Sequence, residues 1–249
     1  YFLIAYLNSM ERFRYFCRGQ KMGGTRTRLY FNILGDFKLA FPTISEQQKI
    51  AEILTAQDRV IELKEKLLAE KQKQKKYLMQ QLLTGKKRLP GFSGEWRKYK
   101  FLVVFKVLSS KQHQINRVQY LSEGNYPVVD QGKQYIAGYY NDEKKLLKCP
   151  NEGIIVFGDH TREIKYINFD FIVGADGTQL LMSSDNSTST YFLYYILLNM
   201  RIPNDGYSRH LKYLKEAFYL IPPFPEQAAI VKILSTADKE IELLKKDIE

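Results

Sequence analysis

The feature that most constrains the fold of this chain is a segment that occurs twice, 180 residues apart. Phe41-Pro-Thr-Ile-Ser-Glu-Gln-Gln-Lys-Ile-Ala-Glu-Ile-Leu returns as Ile221-Pro-Pro-Phe-Pro-Glu-Gln-Ala-Ala-Ile-Val-Lys-Ile-Leu, and matches continue to Lys66 and Lys246. This spacing is far longer than the roughly 20–50 residues of solenoid repeats. It indicates duplication of a whole domain together with its connector.

The repeated segment opens a helix whose two ends can be predicted. Ser45 and Gln48 fit a capping box, and Gly85 fits a C-cap, so we expect a helix of about 38 residues, or about 57 Å. This length is typical of a coiled-coil arm. Apolar residues at three- and four-residue steps give the helix one apolar stripe. The residues of this stripe that we expect to contact a partner or a second copy are Ile50, Leu54, Ile61, Leu68, Leu78 and Leu82.

The natural partner of this helix is the second helix, which begins near Glu226. The second helix is shorter within the chain, so we expect an antiparallel arm that leaves the distal part around Leu78, Leu82 and Leu83 uncovered. Pairing of arms between two copies would bury that part, which predicts a homodimer.

Between the two helices, residues 89–221 predict a mixed domain of short strands. Strands are expected at 101–108, 126–129, 153–157, 164–169, 171–173 and 179–182, and helices at 191–200 and 211–217. The predicted fold class is therefore α+β. A β-rich domain is flanked by long helices that form an antiparallel coiled-coil arm.

Composition limits the classes of function. The formal charge is 38 − 27 = +11, which favours a polyanionic partner. No apolar run reaches the roughly 18–20 residues of a membrane helix, and the chain opens without a basic leader, so we expect a cytoplasmic protein. The two cysteines, Cys17 and Cys149, and three scattered histidines predict neither a disulfide framework nor a zinc site.

The repeat and its surroundings resemble a known family. The motif Pro-x-x-x-Glu-Gln precedes a long helix, which ends in Leu82-Leu-Thr-Gly-Lys-Lys-Arg-Leu-Pro-Gly-Phe and is followed by Glu95-Trp96. This arrangement resembles the specificity subunit of type I restriction-modification systems. The segments from Glu123 to Gly132, from Tyr135 to Tyr140 and from Gly153 to Asp159 are similar to that family's target recognition domains.

The resemblance implies an organisation in which recognition domains alternate with conserved long helices. Residues 1–40 would be the C-terminal remnant of a first recognition domain, and 41–88 the central helix that acts as a spacer. Residues 89–221 would be the second recognition domain, and 222–249 the start of the distal helix. The resemblance further implies a partial chain that lacks most of the first domain and of the distal helix.

Motifs of the associated enzymes are not found in the sequence. Pro222-Pro223-Phe224 follows Ile221, so it lacks the polar residue of a methyltransferase motif, and no P-loop spacing is present. S-adenosylmethionine, ATP and Mg²⁺ would accordingly be bound by partner subunits. One alternative remains open: Asp159, Glu163 and Lys165 have the form of a Mg²⁺-dependent nuclease motif, with Asp142 as a substitute carboxylate.

Polar loops of the 89–221 domain are better candidates for contact with DNA. Arginine suits guanine, glutamine suits adenine and lysine suits phosphate or guanine. Arg209 and Lys212 lie at the start of a helix and suit phosphates. The candidate DNA-binding residues are Lys111, Gln112, Gln131, Lys133, Gln134, Tyr135, His160, Arg162, Lys165, Arg209 and Lys212.

The sequence thus predicts a non-catalytic subunit that recognises double-stranded DNA and directs a type I methyltransferase and endonuclease complex to a split target site. Its expected partners are DNA, methyltransferase subunits, the restriction and translocase subunit within the complex, and a second copy of the chain. The alternatives are a Mg²⁺-dependent nuclease domain with a helical arm and a coiled-coil scaffold that binds only protein.

Overall fold

The computed structural model describes residues 1–20, 30–206 and 208–248, and the chain divides into two compact units. The first unit comprises residues 1–69 together with Lys246–Glu249, and the second comprises Glu70–Lys245. The boundary at residue 69 falls inside one long helix.

The first unit is helical over most of its described residues. It contains α1 (Phe2–Ser9), α2 (Glu11–Gly19), α3 (Phe31–Gly35) and the N-terminal part of α4 (Ile44–Leu82). Aromatic rings join α2 to the segment after α3, because the ring of Phe37 lies 5.2 Å from that of Phe13 and 4.9 Å from that of Phe16. The predicted domain remnant, residues 1–40, includes 21–29, which lie outside the described residues.

The long helix α4 has 39 residues, which confirms the predicted length. Its cap differs from the prediction, since Thr43 and Glu46 form it rather than Ser45 and Gln48. The Glu46 carboxylate accepts hydrogen bonds from the Thr43 backbone N–H at 2.8 Å and from the Thr43 hydroxyl at 2.7 Å. These bonds hold the pKa of Glu46 below its usual value. At the other end Gly85 adopts a φ of 69°, as a C-cap glycine should.

The helix α8 (Phe224–Lys246) runs antiparallel to the C-terminal part of α4. Lys71 pairs with Glu240 at 2.8 Å, and Lys75 pairs with Asp238. The residue number on α8 falls as the number on α4 rises, which confirms the predicted antiparallel arm.

The prediction that the distal end of α4 stays uncovered is wrong. Met79, Leu82 and Leu83 are buried, with Leu82 only 3% exposed, in one core with Ile230 and Leu234 of α8. The first turns of α8 lie beside the last turns of α4, and residues of the strand-rich domain complete the cover. Leu82 is therefore unavailable to a partner.

The exposed part of the apolar stripe lies nearer the start of α4. Ile50 is 38% exposed and Ile61 is 43% exposed. Leu54 and Leu68 are half-buried. Leu78, in the second unit, is also half-buried and packs against the core. Of the residues that were expected to contact a partner or a second copy, Ile50 and Ile61 are thus exposed, whereas Leu82 is buried.

Among the described residues, the second unit has nine strands, all between residues 97 and 221. They are β1 (Arg97–Lys100), β2 (Phe105–Leu108), β3 (Tyr126–Val129), β4 (Gly138–Tyr140), β5 (Ile154–Gly158), β6 (Ile164–Ile167), β7 (Ile172–Val173), β8 (Thr178–Ser183) and β9 (Phe218–Ile221). The strands β1, β4 and β9 were not predicted. The short helices α5 (Phe101–Val104), α6 (Thr190–Asn199) and α7 (Leu211–Glu216) complete the unit.

The strands form three small sheets. The largest has the order β2-β8-β5-β6, with every neighbouring pair antiparallel. The second has the order β4-β3-β7, in which β3 and β7 are parallel, and the third pairs β1 with β9. The strand β5 is buried along its whole length, so it lies at the centre of the domain.

One predicted strand is half helix. Residues 101–104 form α5, and only 105–108 continue as a strand. The helical turn places Phe101 and Phe105 on the same side, where their rings stack at 4.9 Å and are both buried. A short apolar run fits a buried strand and a buried helical turn equally well, so periodicity does not separate them.

The observed class is α+β, as predicted. Within the described ranges, no helix has both the length and the apolar character needed to cross a membrane.

Candidate nucleic-acid interface

Ten of the eleven predicted DNA-binding residues lie on four segments of the second unit, and the eleventh, Lys165, lies on β6. Lys111 and Gln112 follow β2, the segment 131–135 connects β3 to β4, and His160 and Arg162 occupy the turn between β5 and β6. Arg209 lies two residues before the first residue of α7, and Lys212 is the second residue of that helix. Of the predicted residues, those that are exposed are Lys111, Gln112, Lys133, Gln134, Tyr135, Arg209 and Lys212.

The segment 174–177 joins three of these elements. The side-chain Nε2 of Gln131 donates to the backbone carbonyl of Asp176 at 2.6 Å. Gln114 donates to the Asp176 carboxylate at 3.2 Å, which brings in the segment after β2. Gln131 also accepts from the backbone N–H of His160 at 3.2 Å. The three elements are therefore held together by hydrogen bonds and form one polar surface, which we call the loop face.

Gln131 has a structural role beside the predicted contact with DNA. Both ends of its side-chain amide already make hydrogen bonds within the loop face. A glutamine that reads adenine needs the same two groups. Gln131 thus holds its neighbours in place, and one amide hydrogen and one lone pair remain for a ligand. Lys133, Gln134 and Tyr135 are the exposed members of the predicted set in that segment.

Tyr135 is also tied to the domain. Its hydroxyl donates to the backbone carbonyl of Tyr166 at 2.6 Å, and its ring meets Phe169 edge-on at 6.0 Å. Burial raises the pKa of Tyr135. Half of the residue remains exposed, at 49%, so its ring edge is still accessible from solvent.

A buried aspartate attaches α7 to the turn between β5 and β6. Asp159 is 3% exposed, and its carboxylate accepts from the backbone N–H of Leu211 at 2.8 Å. Its backbone carbonyl accepts from the N–H of His210 at 2.8 Å. His160 makes a further contact through Nδ1, at 3.2 Å from the carbonyl of Ser208. The start of α7, with Arg209 and Lys212, is thereby attached to this turn, and the Lys212 ammonium lies 3.6 Å from the Asp205 carboxylate.

Arg162 has a backbone conformation that is unusual for its residue type. Its φ is 64°, and among the described non-glycine residues only Arg162 has a positive φ. Such a conformation costs roughly 1–3 kcal/mol and is concentrated at functional sites. The guanidinium donates to the backbone carbonyl of Ile202 at 3.3 Å and is half-exposed. The turn therefore presents the Arg162 guanidinium although the backbone of this residue is strained.

Lys165 is not available to DNA, which corrects the prediction. It is 6% exposed because it lies on the inward face of β6. Its ammonium donates to the backbone carbonyls of Asp130, at 2.8 Å, and Gln134. Burial lowers the pKa of Lys165. The lysine supports the 131–135 segment from beneath.

The sequence did not identify three residues of this face: Arg117, Tyr120 and Asp130. The carboxylate of Asp130 lies 4.0 Å from the Lys165 ammonium and accepts from the Gly132 N–H at 2.8 Å. Tyr120 donates to the same carboxylate at 3.3 Å, and burial raises the pKa of the Tyr120 hydroxyl to about 12. Asp130 lies in the family-like segment from Glu123 to Gly132 and Tyr120 lies before it, and the hydrogen bond between their side chains depends on how these loops pack.

The arrangement does not favour the nuclease alternative. Asp159 is committed to α7 and Lys165 to backbone carbonyls, so neither can hold a metal ion or a hydroxide. Asp142 caps a separate turn by accepting from the N–H of Lys144 at 3.0 Å. Over the described residues, no group of three or more histidine, cysteine, aspartate or glutamate side chains has the geometry of a metal site.

The fold and this face define a class of protein: an α+β domain that presents polar, largely cationic loops and is carried on an antiparallel helical arm. The chain belongs to the family described as type I restriction modification DNA specificity domain, which it matches over residues 1–73 and 93–249.

Individual relatives agree with this assignment. A type I restriction enzyme specificity subunit from Escherichia coli is 32% identical over 72 residues, which are 28% of this chain and 18% of that protein. The crystal structure of a type I restriction-modification S subunit from M. genitalium aligns with a TM-score of 0.67 at 18% identity. It covers 97% of this chain and 69% of that one.

A third likeness is to a structure that concerns complex assembly and conformational transition of the type I R-M system. The TM-score is 0.56 at 20% identity, with coverage of 99% of this chain and 63% of that chain. At these identities the two structures show a shared fold. This chain thus spans only part of the length of its relatives.

Proposed function

We propose that the chain is a sequence-specific subunit that recognises double-stranded DNA and directs a type I restriction-modification complex to one half of a split target site. The observation that carries this proposal is the loop face, in which three loops and the start of α7 are fixed together. Arg162, Arg209 and Lys212 supply cations at its edge. Rigid placement of such groups is what discrimination between bases requires, because each base contact depends on hydrogen-bond geometry.

The same proposal covers the partners. Methyltransferase subunits, and through them the restriction and translocase subunit, would bind the helical arm. The subunit itself would be non-catalytic and cytoplasmic, with S-adenosylmethionine, ATP and Mg²⁺ held by those partners. The exposed stripe with Ile50 and Ile61 on α4 supports docking of a methyltransferase subunit or of a second copy of the chain.

The test is selection from a random double-stranded DNA library with the purified chain, with and without a methyltransferase subunit. We expect enrichment of a short, defined sequence, and binding that weakens steeply between roughly 50 and 200 mM salt. Binding without enrichment would contradict sequence recognition. Absence of binding in both arms would favour the protein-binding scaffold.

A second experiment addresses the nuclease alternative. Supercoiled plasmid is incubated with the chain and Mg²⁺, and the topology of the plasmid is followed on a gel. We expect the plasmid to stay supercoiled, because the Asp159 and Lys165 side chains are engaged within the fold. Nicking or linearisation that disappears in Asp159→Asn would overturn the non-catalytic assignment.

A further inference from the structure

A polar cavity of about 400 Å³ opens on the loop face. The residues that line it include Arg117, Tyr120, Asp130, Lys133 and Gln134. They come from the turn before β3, from the end of β3 and from the loop after it. This cavity was not expected from the sequence, because no motif connects these residues.

The base of the cavity contains one nearly buried carboxylate. The Asp130 side chain is 12% exposed and accepts one hydrogen bond on each oxygen, from the Gly132 N–H and from the Tyr120 hydroxyl. Each carboxylate oxygen can accept a second hydrogen bond. Asp130 therefore presents acceptor capacity toward the cavity, and it is suited to a ligand that donates.

The walls around this carboxylate are closely fitted. Tyr120 is itself held by the backbone N–H of Ala175, which donates to its hydroxyl at 2.7 Å. A Cβ atom at Gly174 would lie 2.2 Å from the Tyr120 hydroxyl and 2.5 Å from the Asp130 Cβ, so glycine is needed there. The carboxylate thus has a fixed position relative to the loop face.

The charges at the rim have the opposite sign. Arg117 and Lys133 are exposed and form no ion pair with any residue that the structure describes. The ammonium of Lys165 lies 4.0 Å from the Asp130 carboxylate. A metal ion is disfavoured by three nearby cations and a single carboxylate. A phosphate is disfavoured at the base by Asp130 but suited to the rim.

A nucleotide satisfies both requirements. An exocyclic amino group on a base is a donor, which a carboxylate recognises, and the neighbouring phosphate is an anion, which the rim recognises. Among the bases that show an amino group in the major groove are adenine and cytosine. Thymine presents only an acceptor and a methyl group there, so it would leave the carboxylate unpaired.

We propose that Asp130 is a specificity-determining residue that accepts a hydrogen bond from the exocyclic amino group of an adenine or a cytosine, while Arg117 and Lys133 bind the adjacent phosphates. This inference rests on the proposed function and assigns the chemical class of one base in the target. Gln134 lies at the same mouth and donates or accepts toward the rest of the base edge.

The test begins with the sequence enriched from the random duplex library by the unmodified chain. At each adenine or cytosine of that sequence, the base is replaced by the analogue that lacks only the amino group: purine for adenine and 2-pyrimidinone for cytosine. At one position we expect binding to weaken about 10-fold. This arm uses the unmodified chain, so it does not depend on the folding of any variant.

A variant that lacks the acceptor, Asp130→Ala, completes the comparison, because asparagine would keep an oxygen that accepts from the amino group. At the position identified above, we expect Asp130→Ala, which removes the acceptor, to bind the normal and the amino-free duplex within about 2-fold of each other. Asp185→Ala, which removes a carboxylate outside the loop face, should keep the full difference. Arg117→Ala should weaken binding to all duplexes alike and reduce the salt dependence by roughly one phosphate contact.

The outcomes separate the two proposals. If the unmodified chain enriches no sequence, the proposed function fails. If it enriches one, but no amino group affects binding or Asp130→Ala keeps the full 10-fold difference, the assignment of Asp130 is overturned while DNA recognition stands.

Discussion

Gln47 and Gln227, which are 180 residues apart, make the same hydrogen bond. In each copy of the repeat the side-chain Nε2 donates to the carbonyl of the proline five residues earlier, at 2.9 Å in both cases. The adjacent glutamates differ. Glu46 is exposed and caps its own helix, whereas Glu226 is 1% exposed and accepts from Arg88 and Trp96. The glutamine of the motif therefore makes the same contact in both copies, whereas the contacts of the glutamate depend on the residues packed against it.

The first prediction concerns this difference between the two glutamates. Glu226→Gln removes the charge that Arg88 contacts with two nitrogens, at 2.6 and 2.7 Å. We expect a loss of roughly 2–4 kcal/mol in the free energy of unfolding, because a mostly buried cation is left unpaired. Urea denaturation of each variant measures the free energy of unfolding. The matched control is Glu46→Gln, which should have a much smaller effect; equal losses would refute the distinction.

The second prediction concerns the cap of α4. Thr43→Ala removes the hydroxyl that donates to Glu46, so the pKa of Glu46 should rise toward its usual value of 4.5. A carboxylate whose pKa is lower in the folded than in the unfolded chain stabilises the fold at pH values above its unfolded pKa. This contribution is lost as the pH falls through the folded pKa. NMR titration of the Glu46 carboxyl detects the shift. Thr55→Ala, on the same helix, should leave the pKa of Glu46 unchanged.

The third prediction separates base contact from phosphate contact. Arg162→Gly and Arg162→Ala both remove the guanidinium, and we expect each to cost about 1–3 kcal/mol on the preferred duplex and to relax preference at one base. The glycine variant should be the more stable in thermal unfolding, because φ is 64° there. Lys212→Ala should instead weaken all duplexes similarly. Uniform weakening by the Arg162 variants would reassign that residue to phosphate.

The fourth prediction concerns the exposed stripe on α4. We expect the chain to self-associate at micromolar concentration in sedimentation equilibrium, because apolar residues such as Ile61 remain accessible. Ile61→Asp with Leu68→Asp should abolish self-association and methyltransferase binding and should leave DNA binding by the loop face intact. Leu82→Asp should instead unfold the second unit. A monomer at every concentration would contradict self-pairing.

The helices were predictable because their information is local. The repeat, the 3.6-residue periodicity and the Gly85 cap define α4 to within one residue in length. Its cap at Thr43 was missed because both Thr43 and Ser45 precede a residue that can complete a capping box. The burial of Leu82 was not predicted because it depends on where α8 and the strand-rich domain pack against α4. Helical periodicity carries no information on that packing.

The loop face was predictable in its segments but not in the roles of its residues. The sequence predicted the segments 131–135 and 158–162 as DNA-binding because their residue types suit nucleic acid. Exposure decides which of them can contact a ligand, and Lys165 is buried because strand β6 turns it inward. Asp130 and Tyr120 were missed because their relationship depends on hydrogen bonds between separate loops.

The most direct test of the central claim is to locate DNA on the chain by photo-crosslinking. The enriched duplex, with photoreactive bases, is irradiated with the chain, and the attached peptides are identified by mass spectrometry. The account predicts crosslinks in the segments 111–117, 131–135, 158–162 and 208–212. Crosslinks confined to α4 and α8, with these segments unlabelled, would contradict it.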